Sequence, residues 1–422
     1  MAKWRYCTGN PGGLANFFNG ATEYAALMGE LIIVGGDDKA ARTVTLRGSY
    51  IFSDIYVRVT FNNAGGASTW TLHVNGINTS LSTSVPASTT GVFEDTSNTA
   101  SVVDTDTVVI EFNQGGMHGD STDMSVAAIT CEETGGTGKN TIMNGGIGGI
   151  GDGVTLFTQW GGGRLLTGND FSSRTKISNS YTVEEMSLHV IQNNISVACT
   201  QTFFNTAVAT SLEISIPNDT TGDFFDLVNT VSVVDNDEVS IRLIVPVSST
   251  GSDTFSRRVT GLSLSESIDK RHFSQVGSPS FAQDIAFNVT RYLAIEGDMI
   301  QNGIENNAKI LAKIADLQIE NYVAHVEDNT YNAAVTSFLR VNGSSSALGV
   351  SIPSSTSGQF EDLADTIILT ATDEINHLID TNAASFGDAF WHMVGFEQKP
   401  PDDMSYTVAP PVFERIVEVL AY

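Results

Sequence analysis

Along much of the chain apolar residues fall at every second position. Leu81-x-Thr83-x-Val85 alternates with Ser82 and Ser84, Leu212-x-Ile214-x-Ile216 with Glu213 and Ser215, and Leu348-x-Val350-x-Ile352 with Gly349 and Ser351. A period of two marks a strand with one buried and one wet face. Pro86, Pro217 and Pro353 close these strands, because proline brings no N–H to a ladder. Turns then follow at Thr90-Gly91, Thr221-Gly222 and Ser357-Gly358.

These three strands belong to one pattern written three times. The 57-residue window from Asp54 to Ile110 returns without insertion as Glu185 to Ile241 and as Asn321 to His377, at offsets of 131 and 267. Upstream, Ala21 to Tyr24 returns as Val154 to Phe157 and Val289 to Tyr292. Val57-x-Val59, Leu188-x-Val190 and Ala324-x-Val326 form another alternating strand, closed by Asn62, Asn193 and Asn329. Phe93, Phe224 and Phe360 are read as core plugs, and Asp95, Asp226 and Asp362 as caps of neighbouring backbone amides. Asn75-Gly76 and Asn342-Gly343 lie between apolar runs, the strongest short hairpin signal, whereas the middle copy has Asn205-Thr206 and leaves a different turn open. Ile300, Ile304, Ala308, Leu311 and Ile314 fall at helical spacing, but the aligned Leu31 to Leu46 carries Gly35-Gly36 and the β-branched run Thr43-Val44-Thr45, which favours strand.

Short strands with turns every few residues predict an all-β chain of three tandem antiparallel β-sandwich or jelly-roll-like repeats with Gly/Ser-rich joints. The division expected is an N-terminal arm at 1–18, repeats at 19–131, 152–265 and 287–397, joints at 132–151 and 266–286, and a C-terminal tail at 398–422.

Composition narrows the partners. The 422 residues hold 48 acidic against 21 basic side chains, a net charge of -27, which repels phosphate backbones and argues against nucleic acid. No apolar stretch approaches the length of a membrane span, so membrane insertion is not expected. Thr8 to Gly13 interrupts any apolar segment after Lys3 and Arg5, so no secretory signal is read. Cys7, Cys131 and Cys199 occupy unrelated repeat positions and read as buried thiols.

Motifs of chemistry are weak. Gly146 to Gly151 spells G-x-G-x-x-G, with Asp170 beyond, but β-like Val154 to Phe157 follows where a dinucleotide site needs a helix, so a flexible joint is the reading. The seven histidines form no metal-binding pair. Asp104, Asp106, Asp235 and Asp237 set a D-x-D in two loops; calcium is the only cofactor they raise, and turn capping explains them better, since Ala371 replaces the first Asp in the third copy. Arg58, His189 and His325 share one outward column and are interface candidates against a solvated strand face. In the tail, Phe413, Ile416, Val417 and Leu420 are candidates for docking on a neighbour. No catalytic residue is assigned, and an enzyme is not expected.

The run Asn75-Gly76, Pro86, Gly91, Phe93, Asp95, Asn98, Thr99, repeated as Asn342-Gly343, Pro353, Gly358, Phe360, Asp362, Asp365, Thr366, resembles a β-sandwich module of tailed-phage virion and appendage proteins. The middle copy keeps Pro217, Gly222, Phe224, Asp226, Asn229 and Thr230 without the Asn-Gly. The resemblance implies a structural virion protein, a fibre, tail-appendage or capsid-decorating subunit, that assembles with itself and other virion proteins and is found in the virion or outside the cell after release. Three sandwiches in one chain either close as a pseudo-threefold ring or stack end to end. A carbohydrate-binding adhesin is the alternative, with Trp70, Trp160 and Trp391 as candidates for surface glycans. A subunit of a non-viral extracellular filament is a third reading.

Overall fold

Each alternating run forms a strand whose apolar positions face inward in a computed structural model of the chain. The structure describes residues 3–9, 15–18, 22–27, 29–30, 39, 43–116, 121–134, 139–144, 147–158, 168, 174–177, 180–248, 253–266, 272–277, 283–295, 297–298 and 303–399. Leu81, Thr83 and Val85, then Leu212, Ile214 and Ile216, then Leu348, Val350 and Ile352 are buried, as the period of two requires.

Module 1 holds β1 (Lys3–Gly9), β2 (Ala15–Phe18), β3 (Thr22–Ala25), β4 (Gly29–Glu30), β5 (Val44–Thr45), β6 (Tyr50–Asn62), β7 (Ser68–Val74), β8 (Ile77–Val85), β9 (Gly91–Val102), β10 (Thr107–Asn113) and β11 (Ser121–Glu133). One sheet runs β4-β1-β11-β6-β9, with β2 also on β11; the other runs β3-β10-β7-β8, with β5 also on β10. The chain crosses between the two sheets in the manner of a jelly roll, and the inner faces enclose one core.

Module 2 repeats the scheme with β12 (Lys139–Asn144), β13 (Ile147–Gly151), β14 (Val154–Thr158), β15 (Thr175–Lys176), β16 (Tyr181–Asn193), β17 (Cys199–Asn205), β18 (Val208–Ile216), β19 (Gly222–Asp226), β20 (Val231–Val233), β21 (Glu238–Val245) and β22 (Thr254–Glu266). Its sheets are β12-β22-β16-β19, with β13 and β20 attached, and β14-β21-β17-β18, with β15 on β21. Module 3 comprises β23 (His272–Gly277), β24 (Gln283–Ala286), β25 (Thr290–Leu293), β26 (Gly297–Asp298), β27 (Ile310–Leu311), β28 (Leu317–Glu327), β29 (Val335–Val341), β30 (Ser344–Ile352), β31 (Gly358–Leu369), β32 (Glu374–Asp380) and β33 (Asp388–Lys399). Its sheets are β26-β23-β33-β28-β31 and β25-β32-β29-β30, with β24 on β33 and β27 on β32. Among the described residues between β26 and β27 the chain makes a 3-10 turn at Glu305–Asn307, where helical spacing competed with strand.

The stretches expected as arm and joints are instead first strands. β1 pairs with β11 along its whole length, β12 and β13 pair with β22, and β23 and β24 pair with β33. A backbone ladder asks for N–H and C=O groups, not for apolar side chains, so Gly-rich sequence serves. Ile147 to Gly151 of the glycine motif is thus a bulged strand, with Gly149 at a φ of 70°.

Two repeated side chains tie the sandwich shut. Asp95 accepts the Ser82 amide from the other sheet at 3.0 Å, Asp226 accepts that of Glu213 at 2.9 Å, and Asp362 that of Gly349 at 3.1 Å. Burial opposes the charge of Asp95, yet bonds from the Asn98 side chain and the Ser82, Ser97 and Asn98 amides prevail and hold its carboxyl at about 2. At the opposite end Asn62, Asn193 and Asn329 each donate to the carbonyl of the strand-ending Pro86, Pro217 or Pro353 at 3.0 Å. The repeated phenylalanines are not core plugs: they are partly buried and pack against the core margin, while Trp70, Trp391, Tyr6, Tyr50, Tyr322 and Tyr331 are fully buried. The hairpin turn of module 2 matches the others despite lacking glycine, with Thr206 and Ala207 at φ of 47° and 62° beside Asn75 and Gly76 at 50° and 79°. Among the described residues no helix is long and apolar enough to cross a membrane.

Candidate functional site

The three modules meet at seams of one kind. In each, the outward face of the long strand (β6, β16 or β28) lies against the segment holding the short strand (β5, β15 or β27) of another module. Module 1 packs on module 3, module 3 on module 2, and module 2 on module 1, so the contacts close into a ring. Near its centre β1 and β4 lie against β26, and β12 against β4 and β23.

Where module 1 meets module 3, Tyr56, Val126 and Ala128 join the hydrophobic core of module 3. The Tyr56 hydroxyl donates to the Lys309 carbonyl at 3.3 Å, and Arg58 Nε donates to the same oxygen at 3.1 Å. Glu374 accepts from both Arg58, at 3.4 Å, and Lys309, at 3.3 Å, and Lys313 pairs with Glu94 at 2.7 Å. Where module 3 meets module 2, Val323 and Met393, which stand where module 1 has Tyr56 and Val126, join the core of module 2. Tyr181 donates to Glu397 Oε1 at 3.0 Å and Asn321 to its Oε2 at 2.8 Å, while the Thr175 hydroxyl lies 3.6 Å from Met393 Sδ. Where module 2 meets module 1, the position of Tyr56 and Val323 is Ser187. That seam is held by Arg47, whose Nε and Nη2 both donate to Glu185, the latter at 3.1 Å. The Glu185 bond is the largest influence on Arg47 and raises its pKa further, so the guanidinium stays charged.

All three members of the outward column therefore lie at seams. Arg58 bonds to module 3, His325 is 2% exposed in the module 3–module 2 seam, and His189 faces module 1 while its Nδ1 holds Asp223 at 2.7 Å. Phe413, Ile416, Val417 and Leu420 lie outside the described residues, as does Trp160. Trp70 and Trp391 are 0% exposed, which removes them as sugar platforms.

The loop carboxylates serve the turns. Asp106 accepts the Val103 amide at 2.9 Å and the Asn75 amide nitrogen at 2.6 Å; Asp237 accepts Val234 at 2.9 Å and Asn205 at 2.8 Å. Asp104 accepts the Gly48 amide at 2.9 Å, and Asp235 accepts from the Asn236 side chain at 2.8 Å. Among the described residues no group of three or more His, Cys, Asp or Glu is placed to hold a metal. Cys131 and Cys199 are buried; desolvation pushes the Cys199 thiol up to about 11 and the Cys131 thiol well above its usual range, which suits packing rather than nucleophilic chemistry.

The partners of the outward column went unread in the sequence. Thr43, Arg174 and Lys309 are equivalent, as are Thr107, Glu238 and Glu374, but the first set lies upstream of the ungapped window, where the third copy is one residue out of step. A base facing an acid in two of the three copies, Arg174 with Glu238 and Lys309 with Glu374, was the available signal.

No protein-family model matches the chain. No curated protein matches it either. Among solved structures, one described as the triple jelly roll fold and turret assembly in an archaeal virus matches at 13% identity over 95% of this chain and 96% of that chain, with a TM-score of 0.20. Another, described as the atomic structure of Sulfolobus turreted icosahedral virus, matches at 13% identity over 94% of this chain and 96% of that chain, with a TM-score of 0.16.

Proposed function

We propose that this chain is a structural virion protein that decorates a particle surface, a one-chain counterpart of a trimer. The observation that carries this reading is ring closure. A head-to-tail contact that does not close leads to filaments, whereas here the contact closes within one chain after three modules and its surfaces are used up. Such a ring is a bounded platform, which favours a decorating or capping subunit over a fibre extended module by module. The acidic surface, with a net charge of -27, favours solubility and partners other than nucleic acid. Other virion proteins, and neighbouring copies through the exposed edges β9 and β31, are the partners this reading names.

Imaging tests it. Immunogold labelling and cryo-electron microscopy of purified particles should place the protein on the particle surface as a compact three-lobed density. Its absence from washed particles, or its assembly into long filaments when purified, would count against the proposal.

A further inference from the structure

Each seam has a corresponding node built from three positions, and the three nodes are not filled alike. At the module 1–module 3 seam the node holds Arg58, Lys309 and Glu374, with Lys309 and Glu374 3.3 Å apart. At the module 3–module 2 seam the equivalent residues are His325, Arg174 and Glu238, and Arg174 pairs with Glu238 at 2.7 Å. At the module 2–module 1 seam both partners of the pair are missing together: Thr43 stands for the base and Thr107 for the acid, beside His189. A cavity of about 310 Å³ remains there, lined by Lys39, Thr43, Thr45, Gly76 and Thr107 of module 1 and by His189 and Asp223 of module 2.

We propose that this cavity is a carbohydrate site that takes one neutral hexose unit of a glycan. Its volume is at the lower end of the ~300–1,000 Å³ typical of small-molecule sites, which suits a single sugar ring. Its lining combines acceptors with a few donors, as a polyol requires. The Thr43 and Thr107 hydroxyls, whose protons go to the Lys39 carbonyl at 2.8 Å and to Asn75 Oδ1 at 3.3 Å, offer lone pairs as acceptors, and the Thr45 hydroxyl can donate as well as accept. Lys39 Nζ, fixed by His73 Nδ1 at 2.6 Å and the Gly76 carbonyl at 3.0 Å, retains a third N–H. Asp223, oriented by His189, supplies a carboxylate acceptor whose side chain is 60% exposed. One ammonium against one carboxylate leaves little net charge, and the acidic chain around it disfavours an anion.

The rim adds an apolar surface. Phe225, 43% exposed, lines the adjoining groove with His189 and Asp223, and it occupies the column that holds Glu94 and Glu361 in the other modules. An exposed aromatic face beside hydrogen-bonding groups suits the C–H face of a pyranose, with its polar edge turned to the threonines.

The test uses the whole chain and a panel of methyl glycosides (glucose, galactose, mannose and N-acetylglucosamine types) at millimolar concentration, followed by saturation-transfer NMR. Thr43→Lys with Thr107→Glu rebuilds the ion pair of the other two seams and fills the cavity, giving up the hydroxyl bonds that Thr43 and Thr107 make within module 1. At least one glycoside should bind the native chain, and its affinity should fall about tenfold or more in the double variant, which should melt no lower than the native protein. Phe225→Glu, which copies modules 1 and 3, should also weaken binding and covers the case in which the double variant fails to fold. Lack of binding by every glycoside, equal binding to the native chain and the variants, or binding of inorganic sulfate in their place would overturn the proposal.

Discussion

Replacing His377 by isoleucine should remove an acid weakness of module 3. The equivalent residues of modules 1 and 2 are Ile110 and Ile241, both buried in their cores, so the chain itself supplies the fitting alternative. His377 is 0% exposed, with its ring 5.6 Å from that of Tyr322 and 5.3 Å from that of Phe396, and Nδ1 lies 3.2 Å from the Tyr322 hydroxyl. Burial holds its pKa down to about 3 from an ordinary 6.5, and the backbone of Ile295 offsets only part of this. Between those values the unfolded chain binds a proton that the folded core refuses, so stability falls as the pH drops below 6.5 and levels off below about 3. Near pH 5 the difference is about 1.5 units, or about 2 kcal/mol, equivalent to about thirtyfold in the opening equilibrium of the module.

Hydrogen exchange of β32 peptides measures that equilibrium in module 3 alone. After correction for the intrinsic pH dependence of exchange, native β32 should lose about thirtyfold in protection between pH 8 and pH 5, and the His377→Ile chain should lose much less. The same strand of module 2, β21, serves as the internal control, because β10 of module 1 pairs with β7, whose buried His73 is itself held below its ordinary pKa by desolvation. Matching pH dependence in native and variant chains would refute the argument, because it would place the lost stability on some other group.

Tyr56→Ser, which copies Ser187, should cost about 3 kcal/mol by emptying the apolar plug of the module 1–module 3 seam, seen as faster exchange around β27. Asp95→Ala should cost about 1–3 kcal/mol in urea unfolding, by stranding the amides of Ser82, Ser97 and Asn98. Because the Asp95 pKa is depressed to about 2 from 3.8, its contribution is complete above 3.8 and is lost as the pH falls through 2. Ala207→Gly should raise stability by about 1 kcal/mol, read as a higher Tm, by relieving a left-handed alanine.

How much of this was legible depended on whether side chains or backbone carried the signal. The strands from β6 to β10 and their counterparts announce themselves because one face is buried and the other wet, which writes the period of two into the sequence. The first strand of each module does not: Lys139–Asn144 and Ile147–Gly151 are held by backbone pairing to β22, and glycine meets that need without showing any pattern. The phenylalanine column misled for a related reason, since recurrence marks a structural constraint but not how deep the residue sits. The turn of module 2 hid because tertiary pairing of β17 with β18 imposes left-handed backbone on Thr206 and Ala207 against their own preference. Arg58, His189 and His325 were found as a column, yet their partners lie on other modules, and no period along one strand reports what a neighbouring module places opposite it.

Differences among the seams follow from having three modules in one chain. A trimer of identical subunits must use one interface three times, so any cavity or ion pair in it is triplicated. Once the modules share a chain, each seam can change alone while the ring still closes, provided some contact keeps it shut. Here the plug shrinks from Tyr56 to Val323 to Ser187, and the seam with the smallest plug is the one with the bidentate Arg47–Glu185 pair and the open node. The seam between modules 1 and 3, whose partners are farthest apart along the chain, carries the largest apolar plug together with the Arg58–Glu374 and Lys313–Glu94 ion pairs. Closing a ring across that separation costs more conformational entropy than joining adjacent modules, so the strongest packing is placed where closure needs it. The seam between modules 1 and 2 is relieved of that demand by the short connection from β11 to β12, which leaves its node free to be emptied for another use.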